Sequence, residues 1–220
     1  MDNYCLYYIP KSSDQVSDIL TIFFGGNQVV SNRADKGNVG VLLSNNLPIG
    51  YIIKDFSKLC KIKINGMIFL PNDYLIDVIN SCLSNAGLET LPYKASSGFV
   101  VGKVNKKDKL IKTYLYEVSL GKESVYSEST FDLKENSLVV VAKSGTYLLP
   151  GRMISEYKMR SYLCNARICS NDDLQINSSD LYAPVVIDED IEVGSDFFTT
   201  EAKVNAWSRI KTTGKAISLN

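Results

Sequence analysis

Short runs of β-branched and aromatic residues, separated by glycine, fill the middle of this 220-residue chain from Phe99 onward. Such residues favour strands, and glycine supplies the backbone conformations that turns need. Four runs are strand candidates: residues 99–104, 113–118, 137–142 and, as the weakest, 124–127. Gly121, Gly145 and Pro150-Gly151 lie in the connections. Several short strands with glycine-marked turns predict a small β-barrel or sandwich, with five-stranded OB barrels among the candidates.

The first 95 residues carry strand patterns together with one helix pattern. Residues 38–43 and 50–53 are short apolar runs that predict strands. Asp73 is the predicted N-cap of a helix that ends near Gly87. Its apolar positions share one face: Leu75, Ile76, Ile79, Cys82 and Leu83. This part of the chain therefore predicts a small α+β domain.

A stretch rich in proline, serine and glycine, residues 91–98, lies between these two patterns and is typical of a linker. We place a domain boundary there. The prediction is an α+β N-terminal domain at 1–95, whose role the sequence leaves open, and an all-β barrel at 96–198. A C-terminal tail at 199–220 completes the chain.

The charge of the chain is balanced in total but not along its length. Lysine plus arginine number 24, and aspartate plus glutamate also number 24. Residues 1–95 carry 8 basic and 8 acidic side chains, residues 96–170 carry 12 and 7, and residues 171–220 carry 4 and 9. A basic block of this kind predicts a local polyanion-binding face. The alternative is that these cations only solvate strand edges.

Several functional classes are excluded or disfavoured by residues that the chain lacks. The sequence contains no histidine, which removes histidine-based nucleophile systems and histidine metal sites. The five cysteines are scattered without a C-x-x-C pair, so we predict neither a disulfide framework nor a zinc site. Asp188-Glu189-Asp190 is read as an acidic turn rather than a cation site. We therefore expect no enzyme activity, no cofactor and no metal.

The N-terminus and the apolar runs predict a cytoplasmic location. Residues 1–10 lack the basic and apolar segments of a secretory signal. The apolar runs are shorter than the roughly 18 residues that a membrane-spanning helix requires. We accordingly expect no membrane partner.

From Phe99 onward, the order of several motifs resembles the OB-fold tRNA-binding domain of bacteria. That domain occurs free-standing, in the β chain of phenylalanyl-tRNA synthetase and in some methionyl-tRNA synthetases. The motifs that carry the resemblance are residues 99–104, Asp108-Lys109-Leu110, residues 118–121, residues 139–142 with Leu149-Pro150-Gly151, Met159-Arg160-Ser161, residues 166–170 and residues 192–196. With the smaller domain at 1–95, the layout resembles the free-standing YtpR-type tRNA-binding proteins.

The departures from the family pattern fall in segments expected to face a ligand. Asn105-Lys106-Lys107 stands in a shortened loop where the family has His-Pro-x-Ala. Ala166 occupies a glycine position, where its β-carbon would hinder a close backbone approach. Glu128 places a carboxylate near the expected RNA face. The resemblance therefore supports the fold more strongly than the activity.

The resemblance implies RNA binding through cations on one side of the barrel, where lysine and arginine neutralise phosphates and aromatic faces fix position. We expect the loop after the first strand to converge there with the turns around Lys143 and Arg167. The predicted RNA-binding residues are Lys103, Lys106, Lys107, Lys109, Lys112, Tyr114, Lys143, Arg152, Lys158, Arg160 and Arg167.

Three of these predictions have explicit alternatives. Arg160 and Arg167 suit bidentate phosphate contacts, but each has a possible carboxylate partner in Glu156 or Asp172. Tyr114, which shares a strand face with Tyr116, either stacks on bases or covers the barrel core.

The leading prediction is a non-catalytic tRNA-binding protein, with a homodimer expected from the resemblance. The alternative is a degenerate OB barrel that acts as a protein-interaction module. Its partner would be a tRNA synthetase or a ribosome-associated protein. Salt dependence of RNA binding distinguishes the two, because only phosphate contacts release counterions.

Overall fold

A computed structural model describes residues 3–11, 18–149, 151–187 and 191–199. The described part is mostly β and contains one α-helix. It divides into two compact units. The first comprises the residues up to Ala95 together with Leu149–Arg152, and the second those from Ser96 to Leu148 and from Met153 onward.

The first unit is built on a six-stranded antiparallel sheet with strand order β3-β4-β5-β2-β1-β6. Its strands are β1 (Cys5–Ile9), β2 (Ile19–Phe23), β3 (Asn32–Lys36), β4 (Val39–Ser44), β5 (Leu47–Lys54) and β6 (Gly66–Ile68). A 3-10 helix at Phe56–Lys58 and helix α1 (Asp73–Asn85) follow β5 and β6 respectively. The strands predicted at 38–43 and 50–53 correspond to β4 and to part of β5.

One face of this sheet is apolar because side chains alternate along each strand. Leu6, Tyr8, Leu20 and Ile22 on β1 and β2 are fully or almost fully buried. They belong to one hydrophobic cluster with the buried face of α1, which comprises Leu75, Ile76, Ile79 and Leu83. The predicted helix face is thus the packing face, with Cys82 partly buried beside it.

The N-cap of helix α1 lies one residue before the predicted one. The N-cap is Asn72, whose side chain accepts a hydrogen bond from the Leu75 amide at 2.9 Å. Asp73 lies inside the first turn instead, where its charge favours the positive end of the helix. At the other end, Gly87 has φ 64°, and Leu88 donates to the Leu83 carbonyl. This is a Schellman termination that glycine accommodates without strain.

The second unit is an all-β arrangement around its own core. Its larger sheet follows the order β13-β14-β9-β8-β7-β10-β15, with β16 beside β10, and β11 pairs with β12. The strands are β7 (Phe99–Lys109), β8 (Tyr114–Ser119), β9 (Ser124–Ser129), β10 (Leu138–Lys143), β11 (Tyr147–Leu148), β12 (Arg152–Met153), β13 (Tyr157–Met159), β14 (Tyr162–Cys164), β15 (Ala166–Ile168) and β16 (Val186–Ile187). A 3-10 helix spans Phe197–Thr199.

The segment 162–168 contains β14 and β15, the second and the last strands of this path. Its first part, β14, pairs in parallel with β9, and its second part, β15, pairs antiparallel with β10. Asn165 lies between them and exchanges hydrogen bonds with Tyr126. The Ile168 amide donates to the Ser127 hydroxyl at 3.1 Å. Residues 165–168 are therefore joined to β9 by individual side-chain and backbone hydrogen bonds, and no continuous ladder is present there among the described residues.

The end of the described chain is fixed to the start of β7 by Asp196. Its carboxylate accepts hydrogen bonds from the Ser97 amide at 2.6 Å and from the hydroxyls of Ser96 and Ser97. Asp196 also forms an isolated bridge with Val100. These contacts hold residues near position 196 within the second unit.

Candidate nucleic-acid interface

The lysines predicted in the loop after the first strand lie on that strand instead. β7 continues to Lys109 and pairs with β8 up to Lys109 opposite Tyr114. The prediction that Lys106, Lys107 and Lys109 lie in a loop is therefore wrong. The turn is confined to residues 110–113, where the Leu110 amide donates to the Thr113 carbonyl at 2.9 Å. Lys112 is exposed in this turn.

A β-bulge at Asn105 decides which lysine faces which side. Val104 pairs with Val118, yet Lys106 pairs with Glu117, so Asn105 is an extra residue in β7. The bulge reverses which of the residues that follow it point to each face of the sheet. Lys106 consequently lies on the outer face, and Lys107 lies on the side of the core strand positions.

Both of these lysines are held by carboxylates. Lys106 Nζ lies 3.0 Å from an oxygen of Asp108, and Lys107 forms an ion pair with Asp132. The hydrogen bond from Lys107 lowers the pKa of Asp132 and raises the pKa of Lys107 itself. Lys109 and Lys112 are exposed and have no ion pair among the described residues. The hairpin therefore offers two held and two available cations.

The two tyrosines of β8 have different roles. Tyr116 is fully buried, donates its hydroxyl to the Phe131 carbonyl at 2.6 Å and accepts from the Leu133 amide. Tyr114 is half-buried, and Lys107 Nζ lies 4.3 Å from its ring centroid. Tyr116 therefore serves the core, and the Tyr114 ring already carries a cation on one side.

Lys143 and Arg167 do not converge with the lysines of the hairpin. The Lys143 amide donates to the Gly98 carbonyl, at the opposite end of β7 from Lys107. Lys107 is nine positions beyond Gly98, and nine steps of fully extended strand span at most about 30 Å at about 3.3 Å per residue. Register therefore places Lys143 and Lys107 beside opposite ends of β7, and strand pairing does not bring these two cations together.

Lys143 and Arg167 are themselves held by carboxylates. Lys143 Nζ lies 2.7 Å from Glu123, and Arg167 Nε lies 3.1 Å from Asp173. The expected alternative partner of Arg167 was Asp172, so the observed partner is the adjacent residue. With Lys106 and Lys107, these two make four predicted cations that carry an internal carboxylate.

The remaining predicted cations lie on β7 and in two short hairpins. Lys103 is half-buried on β7, opposite Ser119. Lys158 and Arg160 are exposed in the hairpin of β13 and β14, where Arg160 occupies the turn with φ 54°. Arg152 is exposed on β12, the strand within which the chain passes from the first unit to the second. The structure records no ion pair for these four within the described residues.

Two departures from the family pattern have structural roles that the sequence did not indicate. Ala166 is buried in the core of the second unit, so its β-carbon does not face a ligand. Glu128 accepts hydrogen bonds from the Thr113 hydroxyl at 2.6 Å and the Tyr157 hydroxyl at 3.2 Å. The pKa of Tyr157 is raised by burial and by the nearby Cys164 and Glu128.

Sequence reasoning missed an aromatic group on β9, β13 and β14. The rings of Tyr126 and Tyr162 lie 4.9 Å apart, and Tyr157 is 45% exposed. The pKa of Lys106 is raised, mainly by its hydrogen bond to Asp108 and to a smaller extent by the nearby Tyr162. Tyr126 in the candidate strand 124–127 was the available signal, but the pairing of β14 with β9 was not visible in the sequence.

No cluster that could hold a metal ion occurs among the described residues. All five cysteines are free thiols, with Cys5, Cys164 and Cys169 buried. Burial raises the pKa of the Cys5 thiol to about 12. Such thiols are protonated at neutral pH and therefore poor nucleophiles. The acidic residues 188–190 lie outside the described residues.

Fold and site together define a mostly β chain that presents exposed cations on hairpins of its second unit. No model of a known protein family matches this chain. Over 154 residues it is 29% identical to a protein of Bacillus subtilis (strain 168) named "Putative tRNA-binding protein YtpR". The match covers 67% of this chain and 76% of that protein. Within the described residues, no helix has the length and apolar character needed to cross a membrane.

Proposed function

We propose that this chain is a non-catalytic tRNA-binding protein. The observation that carries the proposal is its similarity to the Bacillus subtilis protein, whose name assigns it tRNA binding. The match extends over most of both chains, so a shared short motif does not account for it. A tRNA ligand would also agree with the expected cytoplasmic location.

The proposed scaffold is an OB-type barrel at 96–198 that follows an α+β domain at 1–95. The strand order β9-β8-β7-β10-β15 supports the barrel. So does the segment 162–168, which lies beside β9 at one end and beside β10 at the other. The division of the chain near Ala95 supports the two-domain layout.

The β7–β8 hairpin is the proposed main contact with the phosphate backbone. Lys109 and Lys112 are exposed at its end, next to Lys107 and Tyr114. Exposed ion pairs contribute about 0–1 kcal/mol. Lys106, whose ion pair with Asp108 is exposed, can therefore exchange this carboxylate partner for a phosphate at small cost. Lys103, Lys158 and Arg160 would add cations along the outer surface of the same unit.

The test is binding of the purified protein to bulk tRNA over a range of salt concentrations, with double-stranded DNA as the competitor control. We expect salt-sensitive binding to tRNA that exceeds binding to DNA. Each phosphate contact should add about −0.7 to −0.9 to the slope of log K against log salt. Absence of tRNA binding at about 50 mM salt would overturn the proposal.

Charge-matched variants locate the contact. Replacing Lys109 and Lys112 together by alanine should make the slope less steep by about 1.5, because two phosphate contacts are lost. The control replaces Lys61 and Lys63, two exposed lysines of the first unit, and changes the net charge equally. An equal effect of both double variants would show that the hairpin is not the contact.

The alternative function is a protein-interaction module. Four of the ten predicted cations have internal carboxylate partners, which lowers the positive potential of the second unit. A tRNA synthetase or a ribosome-associated protein would then be the partner. Sedimentation equilibrium tests the homodimer, and a protein that remains monomeric and binds no tRNA would favour a heterologous protein partner.

A further inference from the structure

The hydrogen bonds of Arg167 give this residue a defined orientation. Its neighbours on β15, Ala166 and Ile168, are buried in the core of the second unit. Since side chains alternate along a strand, Arg167 projects from the opposite face. Its side chain is 40% exposed, and its Nε donates to Asp173 Oδ2 at 3.1 Å.

Asp173 is a buried and fixed partner. Its side chain is only 10% exposed. The same oxygen accepts hydrogen bonds from the Ser170 amide at 2.9 Å and the Ser170 hydroxyl at 3.0 Å. The Asp173 amide in turn lies 3.3 Å from the Ser170 hydroxyl oxygen. This reciprocal pair leaves the carboxylate little freedom to rotate.

The consequence lies at the far edge of the guanidinium group. Guanidinium is planar and rigid, so a hydrogen bond at Nε fixes the directions of Nη1 and Nη2. No hydrogen bond among the described residues uses either of these two nitrogens. They form a fork whose geometry matches two oxygens of a phosphate.

We propose that Asp173 is a positioning residue that orients the Arg167 guanidinium for a bidentate contact with an RNA backbone phosphate. This inference rests on the proposed tRNA binding. Under this inference, Arg167 is a specific phosphate contact, and its ion pair with Asp173 does not simply neutralise it. Asp173 itself touches no RNA in this arrangement.

For the replacement of Asp173, the proposal predicts a change in tRNA affinity opposite in sign to the change that simple electrostatics predicts. Removing a negative charge near a polyanion site should strengthen binding, because repulsion is lost. If Asp173 orients Arg167, then Asp173→Asn weakens binding although it removes one negative charge. Asp172 provides a matched control, because it is adjacent and exposed, and its side chain does not contact Arg167.

The experiment measures tRNA affinity of the full chain at several salt concentrations for four variants. We expect Arg167→Ala to weaken binding about tenfold and Asp173→Asn about fivefold. Asp172→Asn should leave affinity unchanged or raise it up to about twofold. Arg167→Lys keeps the charge, so it should weaken binding while the salt slope stays nearly constant.

A double-mutant cycle separates positioning from general stability. In the Arg167→Ala background, Asp173→Asn should no longer weaken binding, whereas a merely structural role would still lower affinity. If Asp173→Asn does not fold, Ser170→Ala loosens the same carboxylate and should show the same dependence on Arg167. Thermal melting checks the fold of each variant.

Two outcomes would overturn the inference. Wild-type binding to tRNA together with equal effects of Asp173→Asn in both backgrounds would reject the positioning role alone. Absence of wild-type binding to tRNA would reject both this inference and the proposed function.

Discussion

At the scale of single residues, the partners of each charged group decide what that group can do. Lys107 and Lys109 are two positions apart on the same strand, yet only Lys107 has a carboxylate partner among the described residues. Asp132 comes from a loop that follows β9, about 25 positions away. Composition identified these lysines as a basic group, but it did not indicate which would be held.

Asp18 is a buried carboxylate of the first unit whose replacement should lower stability. It accepts hydrogen bonds from the Tyr8 hydroxyl at 3.1 Å, the Ser57 amide at 2.9 Å and the Ser57 hydroxyl at 2.6 Å. Asp18→Ala leaves these donors without their partner, so we expect a loss of about 3 kcal/mol. Urea unfolding measures it. Asp35→Ala, at an exposed ion pair, should cost much less.

The pH dependence of this contribution has a defined sign. Burial raises the pKa of Asp18, but the hydrogen bonds from Ser57 and Tyr8 outweigh burial, and the net shift is downward. A lowered pKa in the folded state stabilises the protein above the unfolded pKa of about 3.9, and this contribution is lost as pH falls through the folded value. The stability difference between wild type and Asp18→Asn should therefore shrink below about pH 4. A difference that grows on acidification would contradict this account.

Gly194 is a position where only glycine fits. Its φ is 96°, and a β-carbon there would lie 2.4 Å from the Leu120 carbonyl oxygen. Gly194→Ala should cost more than about 3 kcal/mol, because backbone strain and a backbone clash combine. Gly87→Ala is the control, since Gly87 has φ 64° with open space around it, and about 1 kcal/mol is expected. Thermal denaturation distinguishes the two, and equal losses would exclude the clash.

At the scale of elements, the observed cap of α1 gives a direct test. Asn72→Ala removes the side-chain acceptor of the Leu75 amide and should cost about 1 kcal/mol. Asp73→Ala removes only a charge near the helix N-terminus and should cost about 0.5 kcal/mol. Urea unfolding of both variants compares them. The reverse order would restore Asp73 as the cap that the sequence suggested.

The elements also show how far sequence patterns reach. The helix face of Leu75, Ile76 and Ile79 followed from a periodicity that depends only on local geometry. The extension of β7 to Lys109 did not, because a lysine-rich segment lacks the apolar pattern of a strand. It is a strand because β8 pairs with it. The bulge at Asn105 likewise depends on the register between two strands.

At the scale of the whole molecule, the balanced charge means that any tRNA affinity must come from local groups. The second unit should account for the larger part of the salt dependence of tRNA binding, since residues 96–170 carry the excess of lysine and arginine. The paired hairpin and control variants measure this with the intact chain. Loss of slope in the Lys61 and Lys63 variant alone would place the contact in the first unit.

By itself, the sequence determined the β-rich character, the helix near residue 73, the local excess of positive charge and the lack of histidine chemistry. These properties depend on composition and short-range periodicity, and both can be read directly from the sequence. Tertiary structure decided which cations are held by Asp108, Asp132, Glu123 and Asp173, and placed Lys143 of β10 beside the end of β7 opposite Lys107. Such facts depend on strand register and on the bulge at Asn105 and, for Asp132 and Glu123, on contacts between residues 20 or more positions apart, and a local pattern does not encode them.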